Sequence, residues 1–307
     1  MPSRPPSPPS LPSPASSSAA LEALISLMRD PDPGVWRSVE AQLLSRGEET
    51  KGLLREAAQR GEDTLERRRA RETLAKIHEG TLTDRLARWV NPGGPEPDLE
   101  EGWFLLTRLE FPDLDVERYR RKLDAMAADL DPMLRGAGDL EALRIVRKYV
   151  HFDKEFRGNV EGYYDPENSY LNCVLDRGLG IPITLSSLYL LLARRVGLPI
   201  EGIAAPGHFL LRYRRDRAGL APVYVDAFHG GRLLTREECA AFLRSLGHVV
   251  RGELETRADH REILARMCRN LIAAYGAAGP AHKGERLARW VDILAAGIRK
   301  GRGGERE

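Results

Sequence analysis

The feature that most constrains this chain is a run without charge from Gly178 to Ala193, closed by Arg177 and Arg194. It is too short to span a bilayer, and glycine and proline interrupt its start. Ile181-Pro182 suits the first turn of a helix, and Gly197-Leu198-Pro199 is a helix stop. The spacing therefore predicts a buried helix from about Ile181 to Val196. Short β-type runs follow at Ile200–Ala204, Phe209–Tyr213 and Val223–Val225, with a hairpin joining the last two. The order is helix, a strand introduced by Pro206-Gly207-His208, and a strand closed by Asp226.

That order has a chemical logic in thiol acyl transfer. A cysteine at a helix N-terminus gains thiolate stability from the dipole and the free N–H groups. A histidine on a neighbouring strand takes its proton, and an Asp or Asn on the next strand fixes the imidazole tautomer.

Helical signals dominate elsewhere. Residues 1–18 hold seven Pro and seven Ser, which predicts a disordered tail, either passive or a proline-type ligand. Helical spacing begins near Ala20. It continues through Val35–Leu44, Lys51–Gln59 and Thr64–Ile77, so 20–90 resembles HEAT-type helical pairs that pack on the remainder of the chain. Residues 91–98, opening Asn91-Pro-Gly-Gly-Pro-Glu-Pro97, read as a linker. Three helices are predicted next, at Leu99–Leu109, Val116–Leu130 and Leu140–Val150, with Asp115 and Asp139 as N-caps. Residues 156–170 read as a loop, and Asn168–Asp176 as a short helix. After the Gly230-Gly231 turn, Thr235 caps a helix to about Leu246. Two final helices are expected near Glu262–Tyr275 and Glu285–Ile298. The fold class is α+β, mostly helical, with a small antiparallel sheet.

Asn168-Ser-Tyr-Leu-Asn172, Gly180-Ile-Pro-Ile-Thr-Leu-Ser186, Gly197-Leu-Pro199, Pro206-Gly-His-Phe-Leu210 and Asp226-Ala-Phe-His-Gly-Gly231 occur in order. Together they resemble the SirB-type transglutaminase-like family, within a superfamily built on a papain-like core. The resemblance covers 99–246. Residues 257–299 resemble the tetratricopeptide-like helical pair that follows in many members, and 300–307 is a tail. By the resemblance His208 and Asp226 are triad remnants, and the nucleophilic cysteine falls at Pro182, which has no nucleophile. The family pattern itself has Ile-Pro there. Transglutaminase or protease activity is therefore in doubt, and the leading expectation is a non-catalytic binding or scaffolding module.

Other nucleophiles are weighed against structural roles. Thr184 and Ser186, in the first turns of the helix, read as caps or pocket hydroxyls. Cys173 precedes Pro182 and offers an offset nucleophile for an acyl transferase or amide hydrolase using His208 and Asp226. Its structural reading is a buried thiol too far from His208 for direct proton transfer. Cys239 and Cys268 sit at apolar helical spacing. His208 and Asp226 are expected within hydrogen-bond reach on adjacent strands, and His229 before Gly230-Gly231 faces the same pocket. A His208/Asp226/His229 metal set is weighed, but the spacing is unlike helical zinc motifs, so neither metal nor cofactor is assigned. Asn168 and Asn172 join the pocket. Glu161, Asp165 and Glu167 offer carboxylates, with helix capping as the alternative. Gly178-Leu-Gly180 lacks the Lys-Ser/Thr of a phosphate loop.

Composition closes other classes. The formal net charge is +2, because 47 Lys and Arg are balanced by 45 Asp and Glu, so no nucleic-acid partner or anionic membrane is expected. Three separated cysteines suit a reducing compartment, and with no apolar signal core the chain reads as cytoplasmic. The expected partner is a protein or peptide. A third class, a helical-repeat interaction protein, would place function on the flanking helices.

Overall fold

The computed structural model describes residues 14–91, 94–215, 220–250, 252, 254, 256–278 and 280–303. The chain divides into two compact units, Met1–Leu82 and Thr83–Glu307.

The first unit is helical: α1 (Pro14–Ser26), α2 (Pro33–Arg46), α3 (Lys51–Arg60) and the first part of α4 (Thr64–Val90). Helix α1 begins at Pro14, inside the segment read as a Pro/Ser tail, of which residues 1–13 lie outside the described residues. Proline is tolerated in a first turn, where its missing N–H would have no partner. Asp32 caps α2 by accepting from the Gly34 and Val35 N–H groups at 2.6 and 3.3 Å. Leu24, Met28, Val39, Leu43, Leu54 and Ile77 form its core. Arg69, nearly buried, donates to the Met28 and Asp30 carbonyls and stacks 4.6 Å from the Trp36 ring. Helix α4 runs well past the expected end at Ile77. A glycine inside a helix weakens it without ending it, and Gly80 is followed by no breaker until Asn91, at φ +39°, precedes Pro92.

The second unit carries the predicted helices and a larger strand set than expected. Helices α5 (Leu99–Glu110) and α6 (Val116–Leu134) are capped by Asp98 and Asp115. In α7 (Asp139–Lys148) the expected cap fails. Gly138 takes the cap position, and the Asp139 carboxylate instead accepts from the Tyr213 hydroxyl and lies near Arg215. A π-turn, Tyr149–Asp153, follows. The supposed loop 156–170 contains β1 (Arg157–Gly158), which pairs in parallel with β2 (Leu179–Gly180), and a 3₁₀ turn Pro166–Ser169. The short helix α8 (Leu171–Arg177) starts after that turn rather than at Asn168. Helix α9 (Pro182–Val196) starts at Pro182 and ends at Gly197, which adopts φ +70°.

Strands β3 (Ile200–Ile203), β4 (Leu210–Tyr213), β5 (Val223–Asp226) and β6 (Arg232–Leu234) form an antiparallel sheet in sequential order. Helix α9 packs on β3 and β4, and α10 (Arg236–Ser245) on β5 and β6. Ile203, Leu210, Tyr224 and Leu234 are buried with Cys239, Ala240 and Leu243 of α10. Side chains alternate along a strand, so Asp226 shares the face of Tyr224 and looks toward α10.

Helices α11 (His260–Ala278) and α12 (Ala281–Gly303) pack together, and α12 continues through the start of the expected tail at 300. Helix α11 also packs on α5 and α9. The Tyr170 and Tyr275 hydroxyls meet at 2.7 Å, and Ala258 N–H donates to the Gly202 carbonyl at 2.8 Å. Arg261, 5 % exposed, donates to the carbonyls of Val90, Asn91 and Pro95 and to the Asp259 carboxylate. No helix among the described residues is long and apolar enough to cross a membrane.

Candidate functional site

The site forms where the β3–β4 connection meets the end of β5. Gly207, at φ +66°, turns the chain so that His208 enters just ahead of β4. His248 lies directly against this turn: a Cβ at Gly207 would sit 2.1 Å from its Nε2. Asp226 ends β5, and Gly230 and Gly231, both at positive φ, reverse the chain into β6. That reversal folds His229 back onto Asp226.

The three side chains make one hydrogen-bonded group. His208 Nε2 lies 3.0 Å from Asp226 Oδ1, and His229 Nδ1 lies 2.7 Å from Asp226 Oδ2. The Phe228 and His229 N–H groups also donate to Oδ1, at 3.2 and 3.3 Å. His208 and Asp226 are buried, whereas the His229 side chain is 48 % exposed. Burial alone would raise the Asp226 pKa. Hydrogen bonds and charge from His208, then from His229, outweigh it and hold the carboxyl below its usual value. The two imidazoles stack with centroids 5.7 Å apart, and Phe242 of α10 meets both edge-on, at 5.2 and 5.7 Å. An aromatic path leads outward. Phe228 packs on His229, Tyr163 on Phe228, and Tyr164, exposed, on Tyr163.

Helix α9 presents Pro182 in its first turn, beside two committed hydroxyl and amide groups. Thr184 Oγ1 accepts from the Ile181 N–H and donates to the Asn168 carbonyl at 2.8 Å. The Asn168 side chain accepts from Asn159 and donates to the Gly162 carbonyl. Both residues, expected in the pocket, thus hold the 159–168 loop to the start of α9. Ser186 and Asn172 are buried, with Ser186 Oγ and Asn172 Oδ1 making no hydrogen bond to another described residue. Asp165 caps the 3₁₀ turn by accepting from Glu167 N–H, and both carboxylates bind Arg177. Cys173 is half-buried. Burial, then the charge of Glu167, lifts its thiol to about 11, and the other charges acting on it are those of Arg177, Asp176 and Asp165. Cys239 and Cys268 are fully buried, with thiols pushed up to about 12.

Sequence reasoning missed the layer behind Asp226. A Cβ on Gly231 would lie 2.7 Å from Tyr189 Oη, 2.8 Å from His151 and 2.9 Å from Arg147, so only glycine fits there. His151 Nδ1 meets the Phe156 carbonyl at 2.7 Å, and its ring is 5.7 Å from that of Tyr189. Gly231 was legible only as a turn residue, and nothing local marks His151 or Tyr189 as its neighbours. A cavity of about 750 Å³, lined in part by Arg257, Arg266, Arg269 and Arg299, includes none of the His208, Asp226 or His229 side chains.

The His151 environment has a consequence for pH. Burial depresses its pKa below 6.5, more than the Phe156 carbonyl and the Asp226 charge restore it. The unfolded chain takes a proton near 6.5 that the folded chain refuses, so stability is full above that pH and falls as pH drops below it. The urea midpoint is expected to fall between pH 7.5 and 5.5, and to fall less in His151→Gln. Equal pH slopes for the two proteins would remove His151 from the account. Asp226, with its depressed pKa, withdraws its stabilisation only at lower pH, as it falls through the folded value.

An antiparallel sheet joined to a helix with a proline first turn, and a His–Asp pair at the strand ends, define a class of domain. Residues 117–269 match the transglutaminase-like superfamily. The chain belongs to the UPF0162 family. It is 36 % identical to a UPF0162 protein of Xylella fastidiosa (strain 9a5c) over 203 residues, covering 62 % of this chain and 68 % of the relative. A UPF0162 protein of Vibrio cholerae is 29 % identical over 152 residues, 49 % of this chain and 54 % of that protein. F-box only protein 21 of Homo sapiens is 38 % identical over 131 residues, 41 % of this chain and 20 % of that protein. No solved structure matches the chain.

Proposed function

We propose that this protein is a SirB-type transglutaminase-like module that binds a segment of another protein and performs no thiol chemistry. The observation that carries the reading is Pro182 in the first turn of α9, the turn where a helix dipole would stabilise a thiolate. The offset candidate gives no support to the enzyme alternative. Cys173 carries a raised thiol pKa among carboxylates, the reverse of the electropositive setting that activates a cysteine.

The binding half of the proposal rests on the surface next to the pair. Tyr164 and Val160 are 63 % and 72 % exposed, and the aromatic path from Tyr164 ends on His229. An exposed aromatic edge leading to a buried polar group suits an extended peptide with one polar anchor. The C-terminal pair α11/α12 is read as tetratricopeptide-like, and the three free cysteines support a cytoplasmic setting. Neither a nucleic acid nor a membrane belongs to the reading.

The test is alkylation kinetics with a small thiol probe at neutral pH, on native and His208→Ala protein. All three cysteines are expected to react no faster than a free thiol, at equal rates in the two proteins. Alkylation of Cys173 far faster than a free thiol, with the excess abolished in His208→Ala, would make the acyl-transfer enzyme the better reading. For binding, peptides selected on the native protein are expected to lose at least about tenfold in affinity on Tyr164→Ala, the scale of an aromatic interface anchor. Unchanged affinity for every selected peptide would move the partner surface elsewhere.

A further inference from the structure

We infer that His208, Asp226 and His229 form a site for one divalent transition-metal ion of the zinc class. The inference deepens the reading of this pocket as a binding site, and rests on that reading only for the freedom of His208 from a thiol.

Geometry carries it. Each residue offers one ligand atom, and the three atoms lie within 4.8 Å of one another. A tetrahedral zinc ion, with bonds of about 2.0–2.2 Å, would separate its ligand atoms by roughly 3.3 Å. The two imidazole–carboxylate separations are 3.0 Å to Oδ1 and 2.7 Å to Oδ2, so seating an ion means easing these two contacts and drawing the ligand atoms together about one point. Two neutral imidazoles and one carboxylate form a donor set that suits zinc and leaves a coordination position open.

The surroundings fit as well. The Phe228 and His229 N–H groups already orient the Asp226 carboxylate, the kind of support that outer hydrogen bonds give to a metal ligand. Phe242 lies edge-on against both imidazoles and fixes their planes. His208 and Asp226 are buried, while half-exposed His229 supplies the route of entry. Binding requires each imidazole to present an unprotonated nitrogen, so each neutral ring carries its proton on its other nitrogen and a protonated ring releases one proton. The sequence offered these three residues without marking them as a metal set, because they come from a strand entry and a tight turn, with no helical His spacing.

The test is isothermal titration of zinc chloride into the full-length, chelator-stripped protein without a histidine tag, its thiols first blocked by alkylation. One equivalent is expected to bind with a Kd in the micromolar range or below. His229→Ala, at a half-exposed position, is expected to weaken binding at least about tenfold, the scale of changes around metal ligands. Asp226→Asn should weaken it too, with folding of each variant checked by circular dichroism. Absence of zinc binding by the native protein, or equal binding by His229→Ala, overturns the inference. Thiol alkylation tests the non-catalytic reading separately, so the two can fail independently.

Discussion

Replacing Trp103 with alanine is expected to destabilise the second unit by about 3–5 kcal/mol, the range for deleting a buried aromatic side chain. Trp103 is fully buried in α5, and its indole N–H donates to the Ser169 carbonyl at 2.8 Å. Truncation leaves both a cavity and an unpaired carbonyl, at the 3₁₀ turn that leads into α8. At roughly 2–4 °C per kcal/mol for a domain of this size, the melting temperature should fall by about 10 °C. Trp103→Phe keeps much of the ring volume and loses the hydrogen bond, so its loss should be smaller, about 1–3 kcal/mol. Urea denaturation of the three proteins checks the order. A loss under about 1 kcal/mol for Trp103→Ala would mean that the cavity closes by repacking.

Arg261→Met is expected to cost about 3 kcal/mol or more, although it removes no apolar core. The guanidinium gathers the carbonyls of Val90, Asn91 and Pro95 from one side and the Asp259 carboxylate from the other. Hydrogen bonds to a charged group contribute about 1.5–3 kcal/mol each, but bonds sharing one side chain are not additive. Methionine keeps the length of the stem and supplies none of the donors. Arg261→Lys should recover little, because one ammonium cannot reach acceptors spread as a planar fork reaches them. Thermal melts of native, Met and Lys proteins decide this. A lysine variant as stable as native would show that charge alone suffices.

Much of this architecture was legible because punctuation is local. Ile181-Pro182 and Gly197 bound α9, and Thr235 with Glu238 builds the capping box of α10. The short strands were not legible. Arg157–Gly158 and Leu179–Gly180 are two residues each, too short to show alternation, and β6 hides behind the Gly230-Gly231 turn. Asp139 misled because a cap and a first-turn acid look alike in sequence, and only Tyr213 and Arg215, far along the chain, decide its role. At the site, motif order pointed to His208, Asp226 and His229. Phe242, His151 and Tyr189 reach the same region through packing, which leaves no mark at their own positions. Asn168 and Thr184 carry the polarity expected of a pocket, but their hydrogen bonds close a loop.

The attachment of α11 bears on how the protein is made. Strand β3 bonds to Ala258, the Ala205 carbonyl to Arg266, and Tyr170 to Tyr275, while α5 and α9 pack on the same helix. On a ribosome, which adds about 5–20 residues per second, every one of those surfaces emerges before the helix that covers them. The central helix and sheet therefore wait for the arrival of α11, and the second unit completes its folding only after that helix has emerged. In that interval the apolar side chains of α5 and α9 that α11 covers face solvent.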